Sequence, residues 1–430
     1  MLTCYAATTW YILDYTLSYE WVERQWTFQE LVQASESVVQ CRSSRLTWSD
    51  FALCLGALVY KETYSGGYVF TNPTTVIHTA QLSALRKYER RDKFRSDYRE
   101  ILYQQDVTHD KLYFTKRLLL MSEGQKATDP RDKVYGVYPI LEGLFPGLPK
   151  VDYSREVGEV YQDITRHVIS ASRQLYILLL GSFMGRDGTL SLPSWVPNWG
   201  SQQAGAATWL PFENPRYSKH SNVDITILRS TLGSRLSLKG KLLAVVSKGT
   251  KTWRTYGVEW PHPCVAGPVA SCMKEWQGFA EHSSSPDALL LIIEMVQSQL
   301  GDLTGNDHKF LQQLQKTFTK ELITAVLTPE ALCGIVHPGQ FADTDYLELQ
   351  RLEGLSIFLT QDGRFGLCRG YAEPGDIVVL LAGSPLPVLL RPQANDCHFL
   401  GPIHLHGVTH KTQMWDEEPD MSTLETFSII

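Results

Sequence analysis

Apolar and polar positions alternate with one period in the first half of the chain and with another near its end. Before Cys41, Trp21, Phe28, Leu31 and Val32 fall on one stripe of a 3.6-residue helix, and residues 37–41 (SVVQC) form a β-branched run. The pattern predicts a helix and then a buried strand. Thr47-Trp48-Ser49-Asp50 can cap an apolar-periodic segment that runs to Tyr60, and the Gly-, Thr-, Asn- and Pro-rich stretch 63–75 reads as an exposed loop. A further helix is expected from near His78. Residues 81–105 are long and charged, with acids alternating among the bases, so they read as a solvated helix face rather than a nucleic-acid patch. Residues 111–121 read as helix.

At residues 129–132 the local chemistry is more specific. Asp129 suits a helix cap, Pro130 suits the first helical position, and Asp132 places an acid in the first turn. Asp129, Arg131 and Asp132 are expected to be structural, a cap and a buried or half-buried ion pair. Residues 157–172 have Val160, Ile164, His167 or Val168, and Ala171 at helical spacing, whereas 175–180 read as an apolar strand or buried turn. In LPSWVPNW (192–199) two prolines exclude regular helix, so Trp195 and Trp199 are expected to pack an extended segment onto a core. Residues 200–235 look loop-rich, 236–249 read as strand or hairpin, and 272–327 as helical. After these come LSIFLT, QDGRFGLC, GDIVVLL, PLPVLLRP and CHFLGPIHLHGV, apolar runs of strand length separated by Gly and Pro turns. They predict a small β-sheet or barrel-like unit over 355–408.

Composition narrows the function classes. With 46 acidic and 40 basic side chains in 430 residues, the net charge of -6 excludes a whole-protein electrostatic grip on nucleic acid or anionic lipid. The most apolar run, Ala288 to Val296, is broken by Glu294, far short of the roughly 18 residues a membrane span needs. Asp14 inside the apolar N-terminus argues against a signal peptide. The 8 cysteines form no CxxC pair, and Asn72 is followed by Pro73 in its glycosylation triplet. Reduced thiols in a cytoplasmic protein are the expectation.

Standard catalytic signatures are missing: no GxSxG, HExxH or P-loop occurs, and the glycines of 181–188 are wrongly spaced for a dinucleotide fingerprint. His404 and His406 would point the same way on a strand, but no third ligand is signalled, so no metal is expected. His262-Pro263-Cys264 would need a low-pKa environment to act as a nucleophile. The richest constellation is WVERQWTFQE, residues 21–30. On a helix Trp26 and Glu30 lie about 40° apart around the axis, with Trp21, Phe28 and Val32 opposite. A Glu desolvated by a Trp suits proton transfer or stabilisation of an oxocarbenium ion; the alternative is an exposed Glu on an amphipathic helix.

These residues resemble the fungal heterokaryon incompatibility (HET) domain proteins. The resemblance runs through Trp21, Arg24, Trp26, Gln29, Glu30 and Ala34, then TWSDF (47–51), ATDPRDKVYGVYPI (127–140) and VDYSREVGEVYQD (151–163). It continues with LPSWVPNW, where Asn198 replaces the usual Asp, with GRFGL and PGDIVVLLAGSPLPVLLRP, which holds Gly375 and Asp376, and with His406-Gly407. HET domains are thought similar to TIR domains, whose NAD-cleaving members use a Glu that Glu30 matches best, with Trp26 in support. NAD would then be a substrate, and no resident cofactor is implied.

The resemblance has gaps. The family's YxALSYxWG and WIDAxCINQ elements are not found ahead of Trp21, and THKTQM (409–414) replaces its usual DGE. The implied fold is α+β: a partial TIR-like α/β remnant over 1–62 and a mainly helical region over 63–200. A mixed region over 201–345, a β-rich unit over 346–410 and a flexible acidic tail over 411–430 follow. Without the first strands, the early region is expected to repack on the second half or to pair with a partner, unless the missing strands lie upstream of Met1. The function implied is an intracellular protein of fungal non-self recognition and cell-death signalling, acting through protein contacts, with homo-oligomerisation open. The alternative is an enzyme, either a NAD glycohydrolase using Glu30 or a divergent activity in a specialised-metabolite pathway.

Overall fold

The computed structural model describes residues 24–34, 36–41, 44–48, 50–51, 118, 125–181, 190–200, 234–250, 354–384, 386–406, 408 and 422–430. The expectations for Trp21, for Gly407, for His262 to Cys264, and for 63–75, 81–105, 201–233, 272–327 and 411–421 lie outside them. The chain divides into two compact units. Unit 1 comprises Met1–Ser172, Met184–Leu192 and Val196–Thr208; unit 2 comprises Arg173–Phe183, Pro193–Trp195 and Trp209–Ile430. The expected boundaries at 62 and 345 lie outside the described residues.

Among the described residues, the first helix of unit 1 is α1 (Gln25–Gln33). Arg24 is extended and bridges Lys126, so the Gln25 N–H, which has no intrahelical acceptor, donates to the Lys126 carbonyl at 3.0 Å. β1 (Val38–Cys41) and β2 (Ser44–Thr47) form an antiparallel hairpin, with Val38 opposite Thr47. The strand expected to be buried is instead open, with Val38 53% exposed. A β-branched run records strand propensity; cover depends on what packs against it. After β2 the Thr47 hydroxyl accepts the Asp50 N–H at 3.2 Å and donates to its carboxylate at 2.6 Å, a reciprocal cap that leads buried Trp48 and Phe51 into helix.

Further along, α2 (Asp132–Tyr135), α3 (Tyr138–Leu144) and α4 (Val157–Ser172) follow. α4 has the bounds its periodicity predicts, and it buries Val160, Tyr161, Ile164, Thr165, Val168 and Ile169. Ala171, expected on that stripe, is exposed, while His167 is half-buried against the Phe145 carbonyl at 3.1 Å. The Glu142 carboxylate of α3 accepts the N–H groups of Gly147 and Leu148, both at 2.8 Å, which ties down the loop after the helix.

Unit 2 is a β-barrel with one described helix. Residues 176–181 form α5 (Tyr176–Gly181) rather than the strand or turn expected, because a short apolar run carries no period that separates the two. β3 (Leu236–Gly249), β4 (Leu355–Thr360), β5 (Phe365–Arg369), β6 (Ile377–Leu381), β7 (Val388–Gln393), β8 (Asp396–Leu405) and β9 (Glu425–Ile429) make one sheet in the order β4-β5-β8-β7-β6-β3-β9. β3 also pairs with β4, which closes β4, β5, β8, β7, β6 and β3 into a ring.

Bending lets two long strands serve both ends of that ring. The N-terminal half of β3 runs antiparallel to β9, with Leu236 opposite Ile429, while Val246 to Gly249 pair with β4. Register shifts at Leu242/Ala244 and Val246/Lys248 make this turn, as bulges do. β9 also meets β8 at Cys397, so it fills the opening that the β4–β5 hairpin leaves. The tail expected to be flexible over 411–430 therefore ends in a barrel strand, and the β-rich unit takes β3 from before residue 346. Phe358, Cys368, Val378, Leu389, Ile403 and Leu405 are buried in one apolar core.

Candidate interaction site around Asp132

Asp129 sits at the head of a turn. Its Oδ1 accepts the Arg131 N–H at 2.9 Å, and its two oxygens take the Arg131 guanidinium at 2.9 and 2.7 Å. Arg131 beside it holds the Asp129 carboxyl below the ordinary carboxylate range, and Asp129 raises Arg131 in return. Pro130 follows without an N–H to satisfy, and its carbonyl accepts the buried Tyr161 hydroxyl at 2.7 Å.

The Arg131 guanidinium also donates to the carbonyls of Tyr153 and Arg155, the latter at 3.0 Å, and lies 5.4 Å from the Tyr153 ring centroid. The Tyr135 hydroxyl donates to the Asp152 carbonyl at 3.0 Å, and its ring packs edge-on against Tyr153 at 5.1 Å. Five side-chain contacts thus fasten 151–155 onto the turn at 129–135.

Asp132 is where a third segment arrives. Its Oδ2 accepts the Trp26 indole N–H at 3.3 Å and its Oδ1 the Tyr153 hydroxyl at 2.6 Å. Partial burial first, and then the bond to Asp132, hold the Tyr153 phenol above its ordinary range. Next to Trp26, Gln25 is fully buried against Gly136, where a Cβ would come 2.6 Å from the Gln25 Cγ. Only a glycine fits there.

The residues expected to act are therefore unevenly used. Trp26, Asp129, Pro130, Arg131 and Asp132 come together. Glu30 is exposed on α1, Gln29 is half-buried, and Arg24 is exposed. Trp195 and Trp199 are both buried; the Trp195 indole donates to the Ser234 carbonyl at 2.7 Å. Asn198 accepts the Gly200 N–H at 3.1 Å through Oδ1, a bond an Asp at this place could equally make. Tyr135, Tyr153, Gln25 and Gly136 carry no local sequence signal of their roles beyond lying in the motif blocks around them.

In unit 2 the Gly375-Asp376 pair is a turn with a buried charge. Gly375 has φ +94, and Asp376 Oδ2 accepts the Glu373 N–H at 2.8 Å. Arg391 of β7 reaches Asp376 with two bonds of 2.8 and 3.0 Å, Glu373 at 2.9 Å and the Tyr371 carbonyl at 3.1 Å. His406 donates its backbone N–H to the Phe365 carbonyl at 2.9 Å. Cys368 is walled in, and burial pushes its thiol up to about 12. Among the described residues no group of three or more His, Cys, Asp or Glu is placed to hold a metal, and no helix is long and apolar enough to cross a membrane.

The strands β4 to β8, with their turns, carry a family signature. Residues 332–411 match the model of the Het-6 beta-barrel domain. This is a fungal heterokaryon-incompatibility-related domain, separate from the HET domain itself, so it supports the C-terminal part of the resemblance. The Het-6-type match includes neither β3, which closes the ring in this chain, nor β9, which pairs with β3 and β8. No curated protein and no solved structure matches the chain.

Proposed function

We propose that this heterokaryon-incompatibility-related protein acts in fungal non-self recognition and cell-death signalling, in the cytoplasm, through contacts with another protein. The Het-6-type barrel carries the reading. The manner of action is supported by the Asp132 cluster, which holds two large aromatic side chains at the surface, Trp26 at 38% and Tyr153 at 46% exposure. Trp, Tyr and Arg are the residue types that dominate binding energy at protein interfaces, and here their polar atoms are already bonded, so little ordering remains to be done on binding.

Inducible expression in a filamentous fungal host, with affinity capture of the tagged chain, tests the proposal. A growth defect with a co-purifying protein is the expected result. Normal growth at high protein level, with nothing captured, would require the reading to be abandoned.

A further inference from the structure

Asp132 is a carboxylate bonded only to neutral donors. The Trp26 indole and the Tyr153 hydroxyl take one oxygen each, and no lysine or arginine pairs with it among the described residues. Cations on the same segments are spent elsewhere. Arg131 is held by Asp129 at 2.7 Å, Arg155 by Asp163 at 2.7 Å, and Lys133 donates to the Gln125 carbonyl. The one-turn α2 offers little macrodipole to offset the charge.

A bridge that only tied α1 to the 151–155 loop would need an acceptor, not an anion. Two of the carboxylate's four lone-pair positions are used, leaving room for a forked donor. On either side stand exposed aromatic rings, and the Tyr153 ring already takes one guanidinium, that of Arg131, at 5.4 Å. A carboxylate with no cationic partner among the described residues, bordered by two exposed aromatic rings, is complementary to a flat, delocalised cation. Arginine fits better than lysine, because its planar fork matches a carboxylate and stacks on aromatic faces.

We propose that Asp132, with the Trp26 and Tyr153 rings beside it, binds an arginine side chain presented by a protein partner. The inference rests on the protein-contact reading above, and it names the chemistry of that contact.

The full-length chain labelled with 5-fluorotryptophan reports on it by fluorine NMR, with Trp26→Phe assigning the Trp26 resonance. The probes are Nα-acetyl-arginine-N-methylamide and its neutral citrulline counterpart. The arginine probe is expected to shift the Trp26 resonance saturably, and the citrulline probe to bind at least tenfold more weakly. Asp132→Asn should lose the arginine-dependent shift while the other tryptophan resonances stay in place. A Trp26 resonance unmoved by arginine, or moved equally by citrulline, overturns the proposal. Should Asp132→Asn disturb the other resonances, Tyr153→Leu replaces it: weaker arginine binding supports the site, and unchanged binding overturns it. Arginine binding without any growth defect in the fungal host would instead sink the functional reading alone.

Discussion

In unit 2, six strands exchange main-chain hydrogen bonds around a ring, and side chains chiefly fill its interior. In unit 1, apart from the β1–β2 hairpin and the Gln25–Lys126 main-chain bond, segments are joined by side-chain donors on main-chain or carboxylate acceptors: Tyr135 on Asp152, Tyr161 on Pro130, Arg131 on Arg155, Trp26 on Asp132. A ladder tolerates any residue that keeps the alternation of faces, whereas a side-chain joint demands one residue type at one place. The barrel is therefore robust in sequence and sensitive to core volume; the helical unit is sensitive to single polar substitutions.

Phe358→Ala attacks the barrel where it is strongest and should have the largest effect. Its ring is fully buried in the apolar core, and removing it is expected to cost about 3–5 kcal/mol. Urea denaturation read by hydrogen exchange should show the loss in β3 to β8 amides; protection unchanged there would mean that the ring does not hold the ladder together.

Arg391→Ala comes next and probes the main exception to the contrast, a polar joint inside the barrel unit. It leaves Asp376, 2% exposed, without its cation. About 2–3 kcal/mol is expected, less than for a fully enclosed pair because the Arg391 side chain is 28% exposed. The same exchange experiment measures it, with β6 and β7 amides affected first.

Asp129→Ala, in unit 1, removes the acceptor of the Arg131 N–H in the turn ahead of α2 and releases the Arg131 guanidinium, which should cost about 1 kcal/mol and raise exchange over 129–155 while barrel amides stay protected.

Acid should produce the smallest and most graded difference. Asp129, Glu142 and Asp152 are held below their ordinary values, by Arg131, by the Gly147 and Leu148 N–H groups, and by Ser154 respectively. A depressed folded pKa contributes stability that is full above the unfolded value of about 4 and is lost as pH falls through the folded value. Exchange in unit 1 is thus expected to rise below about pH 4 before the barrel ladder opens. Simultaneous loss of both units would erase the contrast.

The same contrast explains what the sequence made legible. β3 and α4 could be placed from periodicity alone, and all five apolar runs after residue 354 are strands. Ring closure could not be read, because the pairing of β3 with β4 is not written into either strand's period. β9 was hidden because five residues with exposed Glu425 and Thr426 in an acidic tail give a weak alternation.

At the site, the Asp129 bond to the Arg131 N–H was readable because it spans two residues, but it closes the turn ahead of α2, which starts at Asp132 with Arg131, not Asp129, at its N-cap position. The Trp26–Asp132 bond joins residues 106 positions apart, and nothing local to either predicts the other. Glu30 attracted attention for its neighbour Trp26, yet the indole N–H of that residue is directed to Asp132 and Glu30 is exposed.

The central claim, that the surface at Trp26 and Tyr153 acts by contact, is tested most directly in the fungal host. Growth is compared for the unsubstituted chain, for Trp26→Ala combined with Tyr153→Ala, and for Glu30→Gln, at matched soluble protein levels. The account predicts that the double substitution abolishes the growth defect and Glu30→Gln keeps it. A defect that survives the double substitution but vanishes with Glu30→Gln, together with nicotinamide release from NAD by the purified protein, would contradict it.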